Sequence, residues 1–496
     1  MRSFIAGAGM ALAAMVASGP ASAIDEFFPT FGNDGYDVIH YDLDLDVSVA
    51  PHHLDGYAKL LARAEQRLSR MTLDLAGLDV SSVRVDGVRA SFSQANDKLT
   101  IVPKAPIAKG RKFVVAIAYD GTPVPIQDPT APGDPDYLLG WFKYQNSTYA
   151  LSEPVGASTF YPANDEPTDK ASFTFDITVP ADYTAVANGV LVRKDSLRDK
   201  RRFVWLMRDP MTTWLATVHV NKFKLTTART KDGIPLRFYT TAATPAEDIA
   251  GYAESREMIP YLEKLIGRYP FDGYGSVVVD DPALYYALET QAMSTFPVGA
   301  ADEAIVAHEL AHQWFGNSVS VAQWRDLWIA EGAATYFETL WPNRSNRAAF
   351  EAEMAALYAY AQRVKLGPAV VERPDQIFSN RTYVRGALAL HALELKVGQK
   401  TFYKVLRTFL QKYRDGNATS RNFIDTAVSV SRTSGVRSLL NDWLYEQALP
   451  SLPSQTMAAA AQRSGPVPVP DIVGLRCEGG AHRSSGLDHC VAAAAP

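Results

Sequence analysis

Cysteine is nearly absent: two residues in 496 cannot staple a scaffold, so the core must come from packing. An excess of positive charge is missing too. With 49 basic against 54 acidic side chains and a formal net charge of −5, no general field exists for holding nucleic acid, and no local basic cluster replaces it. Beyond the N-terminus there is also no long apolar run, so no later segment is expected to span a bilayer. A composition 47% hydrophobic and 21% charged excludes a disordered coil. What remains is a soluble chain of about three domains, at roughly 150 residues each.

The first residues read as an address. Arg2 is a basic start, Phe4 to Val16 a small-residue apolar core, and Ala21-Ser22-Ala23 a cleavage site, so residues 1–23 are expected to be removed on export to a periplasm or the cell exterior. No stable membrane insertion is expected after cleavage.

Residues 24–228 read as a β-rich domain. Tyr36 to Val47 alternates apolar and polar side chains at period two, and further strand-like runs follow at Val83–Val85, Leu99–Val102, Phe113–Ala118, Ser172–Val179, Tyr183–Ala187, Phe203–Leu206 and Thr217–Val220. Turn signals such as Asp120-Gly121 and Asn188-Gly189 separate them. His53 to Arg70 is rich in helix formers and predicts a local helical insertion. Residues 229–452 turn to α+β and then mostly α, starting with a helix over Pro245–Ile266 capped by Thr244. The proline-rich stretch 453–496 reads as a tail. It carries Cys477, His482, His489 and Cys490, whose spacing matches no standard zinc finger; one disulfide is expected there in an exported chain.

The chemistry is concentrated in His308-Glu309-Leu310-Ala311-His312, within a helical pattern over Asp302–Phe315. Residues one helical turn apart share a face at about 5–6 Å, so both imidazoles can reach one ion. Glu309 sits one step round the helix, where it touches water without being a ligand. Trp324-Arg325-Asp326-Leu327-Trp328-Ile329-Ala330-Glu331-Gly332 then opens a second helix that supplies Glu331 as third ligand. A His-His-Glu set with an open fourth position is zinc chemistry. Asp326 is either an acceptor for a zinc histidine or a helix cap.

With these motifs the chain resembles the aminopeptidase N-like zinc metallopeptidases, the gluzincin aminopeptidases related to leukotriene epoxide hydrolase. The resemblance also rests on Tyr286-Ala287-Leu288-Glu289-Thr290-Gln291 against the family's usual Gly-Ala-Met-Glu-Asn, on Phe160 to Pro167, and on Tyr383-Val384-Arg385-Gly386 against Tyr-x-Lys-Gly. It implies an α+β multidomain chain, with a saddle-like β-rich N-terminal domain, a thermolysin-like catalytic domain and no long C-terminal helical domain. It further implies one Zn2+, with Glu309 as general base and Tyr383 as oxyanion donor. Glu289 and Glu153 would hold the amino terminus of a peptide substrate, with Ala287 and Leu288 lining its site. Ala330 and Tyr286 depart from the family's usual Asn and Gly, which predicts a reshaped pocket wall. The rival functions are an endopeptidase or epoxide hydrolase on the same scaffold, and an inactive zinc-bound peptide-binding protein.

Overall fold

The computed structural model describes residues 24–453. Residues 1–23, expected to be a leader, and residues 454–496, with both cysteines of the expected tail, lie outside the described residues. An eight-stranded sheet forms the first layer, in the order Val190–Ser196, Lys200–Met211, Ala171–Pro180, Tyr36–Val49, His52–Ala64, Lys112–Gly121, Asp79–Val85, Val88–Arg89. Tyr36–Val49 and Ala171–Pro180 run parallel at its centre. A five-stranded sheet includes Ser147–Leu151, the strand that leads to Glu153.

The expected helix over His53–Arg70 is instead the strand His52–Ala64, antiparallel to Tyr36–Val49. Leu54, Ala58, Leu60, Ala62 and Ala64 are buried at period two, with Lys59 and Arg63 on the outer face. Alternation that buries one face outweighs the helix propensity of Ala, Leu and Arg. The expected helix over Pro245–Ile266 divides into Ala246–Ala253 and Ser255–Ile266, and Pro245 rather than Thr244 takes the N-cap position. Thr244 instead uses its hydroxyl to accept from the backbone of Thr241 at 3.0 Å.

The second half opens on a four-stranded sheet, Lys224–Arg229, Pro235–Thr240, Tyr274–Val279 and Ser294–Pro297, and continues into helices. One apolar core extends through both halves, from Phe28 to Leu444. Polar links reinforce it: the Lys170 ammonium donates to the carbonyls of Asn317 and Ser318 at 2.8 and 3.0 Å, and the Asp25 carboxylate accepts from Trp324 N at 2.8 Å. Among the described residues, no helix is long and apolar enough to cross a membrane.

Helices Trp328–Leu340 and Gly386–Val397 meet where two glycines face each other. A methyl on Gly332 would lie 2.6 Å from Gly386 Cα, so only hydrogen allows this approach. The crossing holds the turn before Gly386 against the helix of Glu331. Gly332→Ala is therefore expected to destabilise the chain by about 1–3 kcal/mol through overpacking. Urea unfolding checks it: an unchanged midpoint would show that the crossing tolerates a methyl group.

Candidate metal centre and active site

Asp302 starts the first site helix by accepting from Ala304 N at 2.8 Å, and the helix Glu303–Ala311 places His308 and His312 one turn apart. Their ring centroids lie 4.8 Å apart. The second helix brings Glu331 between them, with Oε2 at 3.3 Å from His308 Nε2 and 3.4 Å from His312 Nε2. All three side chains are buried, and each offers a ligand atom within 4.8 Å of the others. Both imidazoles thus turn the same nitrogen toward one carboxylate oxygen. This donor chemistry fits a zinc ion, which takes two imidazole nitrogens and a carboxylate while leaving a position open.

The other ring nitrogens are also held. His308 Nδ1 lies 2.8 Å from Glu338 Oε2, and His312 Nδ1 lies 3.1 Å from the Phe315 carbonyl. Glu338 is the carboxylate that fixes a metal-facing histidine, and it was not singled out from the sequence. Its signal was position: it follows Glu331 by two helical turns on the same face. Asp326 does not take that role. Its carboxylate accepts from the Ser420 hydroxyl, which in turn accepts from Trp328 Nε1 at 2.7 Å, so it joins the second site helix to the C-terminal helices.

Glu153, Glu289, Glu309 and Glu331 converge on one cleft, lined also by Tyr286, Ala287, Leu288, Phe378 and Tyr383. Leu288 is tied to Thr295 by reciprocal backbone hydrogen bonds of 2.8 Å, which sets the next residue's direction. The Glu289 carbonyl then accepts from Gln313 Nε2 at 3.1 Å and Asn317 Nδ2 at 2.6 Å, so residues just beyond His312 position this loop. Neither Gln313 nor Asn317 was predicted to act there. Glu309 Oε2 and Glu289 Oε1 are buried without hydrogen-bond partners, as groups awaiting a ligand would be. The Tyr383 ring lies nearly parallel to that of His308, with centroids 6.1 Å apart.

Ala330 is fully buried but is not among the residues lining this cleft. A methyl on Gly316 would come within 3.2 Å of Ala330 Cβ, which places Ala330 under the loop that closes the first site helix. Of the two departures expected to reshape the wall, only Tyr286 faces the cleft.

Burial raises Glu309 to about 8, although the two histidines oppose the rise. Burial also raises Glu289, and raises Glu153 strongly with help from the Glu289 charge. Glu331 goes the other way: burial would raise it, but His312 and His308 together pull it down to about 2. Burial would lower His312, yet Glu289 and Glu331 lift it to about 9.

The fold and donor set together define a metallopeptidase with a thermolysin-like His-His-Glu zinc centre. Comparison narrows the class. The Peptidase M1 N-terminal domain model matches residues 38–215, and the Peptidase family M1 domain model matches 255–443. The M1 zinc metallopeptidase from Deinococcus radiodurans is 33% identical with TM-score 0.81, covering 88% of this chain and 99% of its own. A mutant of the Deinococcus enzyme bound to a Tyr-Ser-Ala substrate matches equally well, at 33% identity and TM-score 0.81, over 88% of this chain and all of its own. Aminopeptidase A of Gloydius brevicauda is 26% identical over 84% of this chain and 47% of its own length, and human glutamyl aminopeptidase is 28% identical over 60% and 34%. The chain spans about half the length, or less, of these curated relatives. It belongs to peptidase family M1, and its cofactor is zinc.

Glu338→Gln should weaken zinc binding about 10- to 100-fold by loosening His308. Chelator competition measures this directly, and an unchanged Kd would remove Glu338 from the site.

Proposed function

We propose that this chain is a zinc aminopeptidase that removes single residues from the free amino terminus of peptides after export to a periplasm or the cell exterior. The observation that carries the reading is the pair Glu153 and Glu289. Both carboxylates are buried in the zinc cleft, although three other side chains already complete the metal's protein ligands. Carboxylates that no metal requires suit a substrate's α-ammonium group, since hydrogen bonds to charged groups are worth about 1.5–3 kcal/mol. The names of the relatives, aminopeptidase A and glutamyl aminopeptidase, support the reaction class.

His308, His312 and Glu331 would hold the zinc, which supplies Lewis-acid polarisation of a carbonyl and acidification of a water when bound. Glu289 and Glu153 fix the ammonium group and thereby set which peptide bond reaches the centre. Glu309 takes a proton from the attacking water and returns it to the leaving amine. Tyr383 donates its phenol hydrogen to the carbonyl oxygen as that oxygen becomes negative. Ala287 and Leu288 flank the substrate beside Glu289.

The curated relatives include glutamyl aminopeptidases, but a carboxylate on the first side chain is poorly matched here. Among the described residues lining the cleft there is no lysine or arginine to receive it. Neutral first residues are the better substrates on electrostatic grounds, with Tyr286, Leu288 and Phe378 as the apolar walls.

Glu309→Gln should abolish turnover while zinc remains bound, since the residue moves protons and is not a ligand. Metal analysis of the purified variant settles that assignment: stoichiometric loss of zinc would make Glu309 a ligand. A peptide panel tests the cleavage site. N-acetylation should cost about ten-fold to more than a hundred-fold in kcat/KM, and acidic first residues should be cleaved more slowly than neutral ones. Mass spectra with internal cuts at equal rates on free and acetylated peptides would replace the aminopeptidase with the endopeptidase alternative.

A further inference from the structure

The proposed chemistry needs the Tyr383 phenol at a fixed place, and the backbone that carries it is uncommon. Arg381–Arg385 form one π-helical turn that runs directly into the helix Gly386–Val397. Within it, Val384 N and Arg385 N both donate to the Asn380 carbonyl, at 3.0 and 3.2 Å. Such a turn holds one residue more than an α-helix and needs support from outside itself. Relaxing it into α-helix would swing the residues before it by roughly 100° about the axis, the rotation of one residue.

The support comes from Arg385, which is fully buried. Its guanidinium is surrounded by backbone carbonyls. Nε donates to Trp443 O at 2.7 Å, and Nη1 donates to Leu366 O at 2.9 Å and Gln447 O at 3.4 Å. Nη2 donates to Asp442 O at 3.1 Å, to Ala448 O at 3.2 Å and to Glu446 O. Asp442 and Trp443 belong to the last turn of the helix Val436–Tyr445, where carbonyls lack helical donors and the dipole is negative. A planar fork with five N–H groups can serve these six oxygens with one N–H shared between two, whereas an ammonium has three donors.

We propose that Arg385 is a positioning residue for Tyr383: it clasps the Asp442–Ala448 segment and so keeps the π turn, and the phenol it carries, in place at the cleft. The proposal rests on the oxyanion reading of Tyr383 given above. The Gly332–Gly386 crossing fixes one side of the turn, and the Arg385 clasp fixes the other. Residues 446–448, just beyond the helix Val436–Tyr445, thereby support the site although they do not line the cleft.

The test is a double-mutant cycle on the full chain, with Arg385→Met and Arg385→Lys made alone and with Tyr383→Phe. Arg385→Met should lower kcat about 10- to 100-fold with KM and bound zinc nearly unchanged, because a misplaced transition-state donor costs on that order. Arg385→Lys should recover part of the loss and serves alone if the Met variant does not fold. With Phe at 383, neither substitution should lower kcat by more than about two-fold, since the interaction it protects is already gone. An equal loss of kcat in both backgrounds overturns the clasp and leaves Arg385 as general scaffold. Loss of zinc in step with kcat also overturns it. Wild-type kcat in Tyr383→Phe alone would overturn the oxyanion reading, and the clasp with it.

Discussion

Four buried carboxylates share one cleft, and the need to neutralise them governs the rest of the site. Glu153, Glu289, Glu309 and Glu331 are each less than 5% exposed. Buried charges at this density are tolerated only when paired, metal-bound or protonated. The imidazoles of His308 and His312 answer for Glu331, and a zinc ion held by the three would add to that. On the proposed reading, a substrate ammonium would answer for Glu289 and Glu153. Burial pushes Glu309 up to about 8, close to neutrality, where the proposed general base can take up a proton and give it back. On the proposed reading, substrate selection and catalysis would share one electrostatic origin, because a ligand that brings a positive amino terminus completes the balance and a neutral one does not.

Holding like charges together takes rigid surroundings, and both halves of the chain supply them. The β-rich half is not an accessory, for it contributes Glu153 directly. Lys170 bonds the carbonyls of Asn317 and Ser318, and Asn317 in turn holds the Glu289 carbonyl, so a lysine beside the strand Ala171–Pro180 is coupled to the backbone of Glu289 through a single residue. Asp25 and Phe28 pack on Trp324, the start of the segment that carries Glu331. Contacts of this kind explain why one apolar core extends through both halves.

The sequence made the reactive groups legible where local geometry alone decides. A single helical turn fixes His308 against His312, and periodicity carries Glu331 onto the next helix. Period two marked eight strands in advance, Tyr36–Val49 and Ala171–Pro180 among them, but not Leu138–Tyr144 or Ser147–Leu151, which leads to Glu153. It failed at His52–Ala64 only because helix propensity was weighed above an alternation that was already present in Leu54, Ala58, Leu60 and Ala62. What stayed hidden were partnerships between distant segments. Asp326 has the right chemistry to orient a histidine, but Ser420 claims it, and Glu338 has the place instead. Arg385 reads as an ordinary basic residue until the carbonyls beyond the final helix are folded onto it. Partners of that kind are set by tertiary contact, which local pattern does not encode.

The two departures from the family pattern separate by the same reasoning. A methyl on Gly316 would lie 3.2 Å from Ala330 Cβ and 3.3 Å from His312 Nδ1, so the bare glycine in the loop after His312 leaves room for the metal ligand. Tyr286 instead stands at the cleft against Tyr149, Leu151, Val279, Leu284 and Leu288, an apolar cluster separate from the main core. Tyr149 and Leu151 belong to the strand that delivers Glu153. A ring at 286 thus joins the wall beside Glu289 to the strand leading to Glu153, filling with aromatic surface what glycine would leave open.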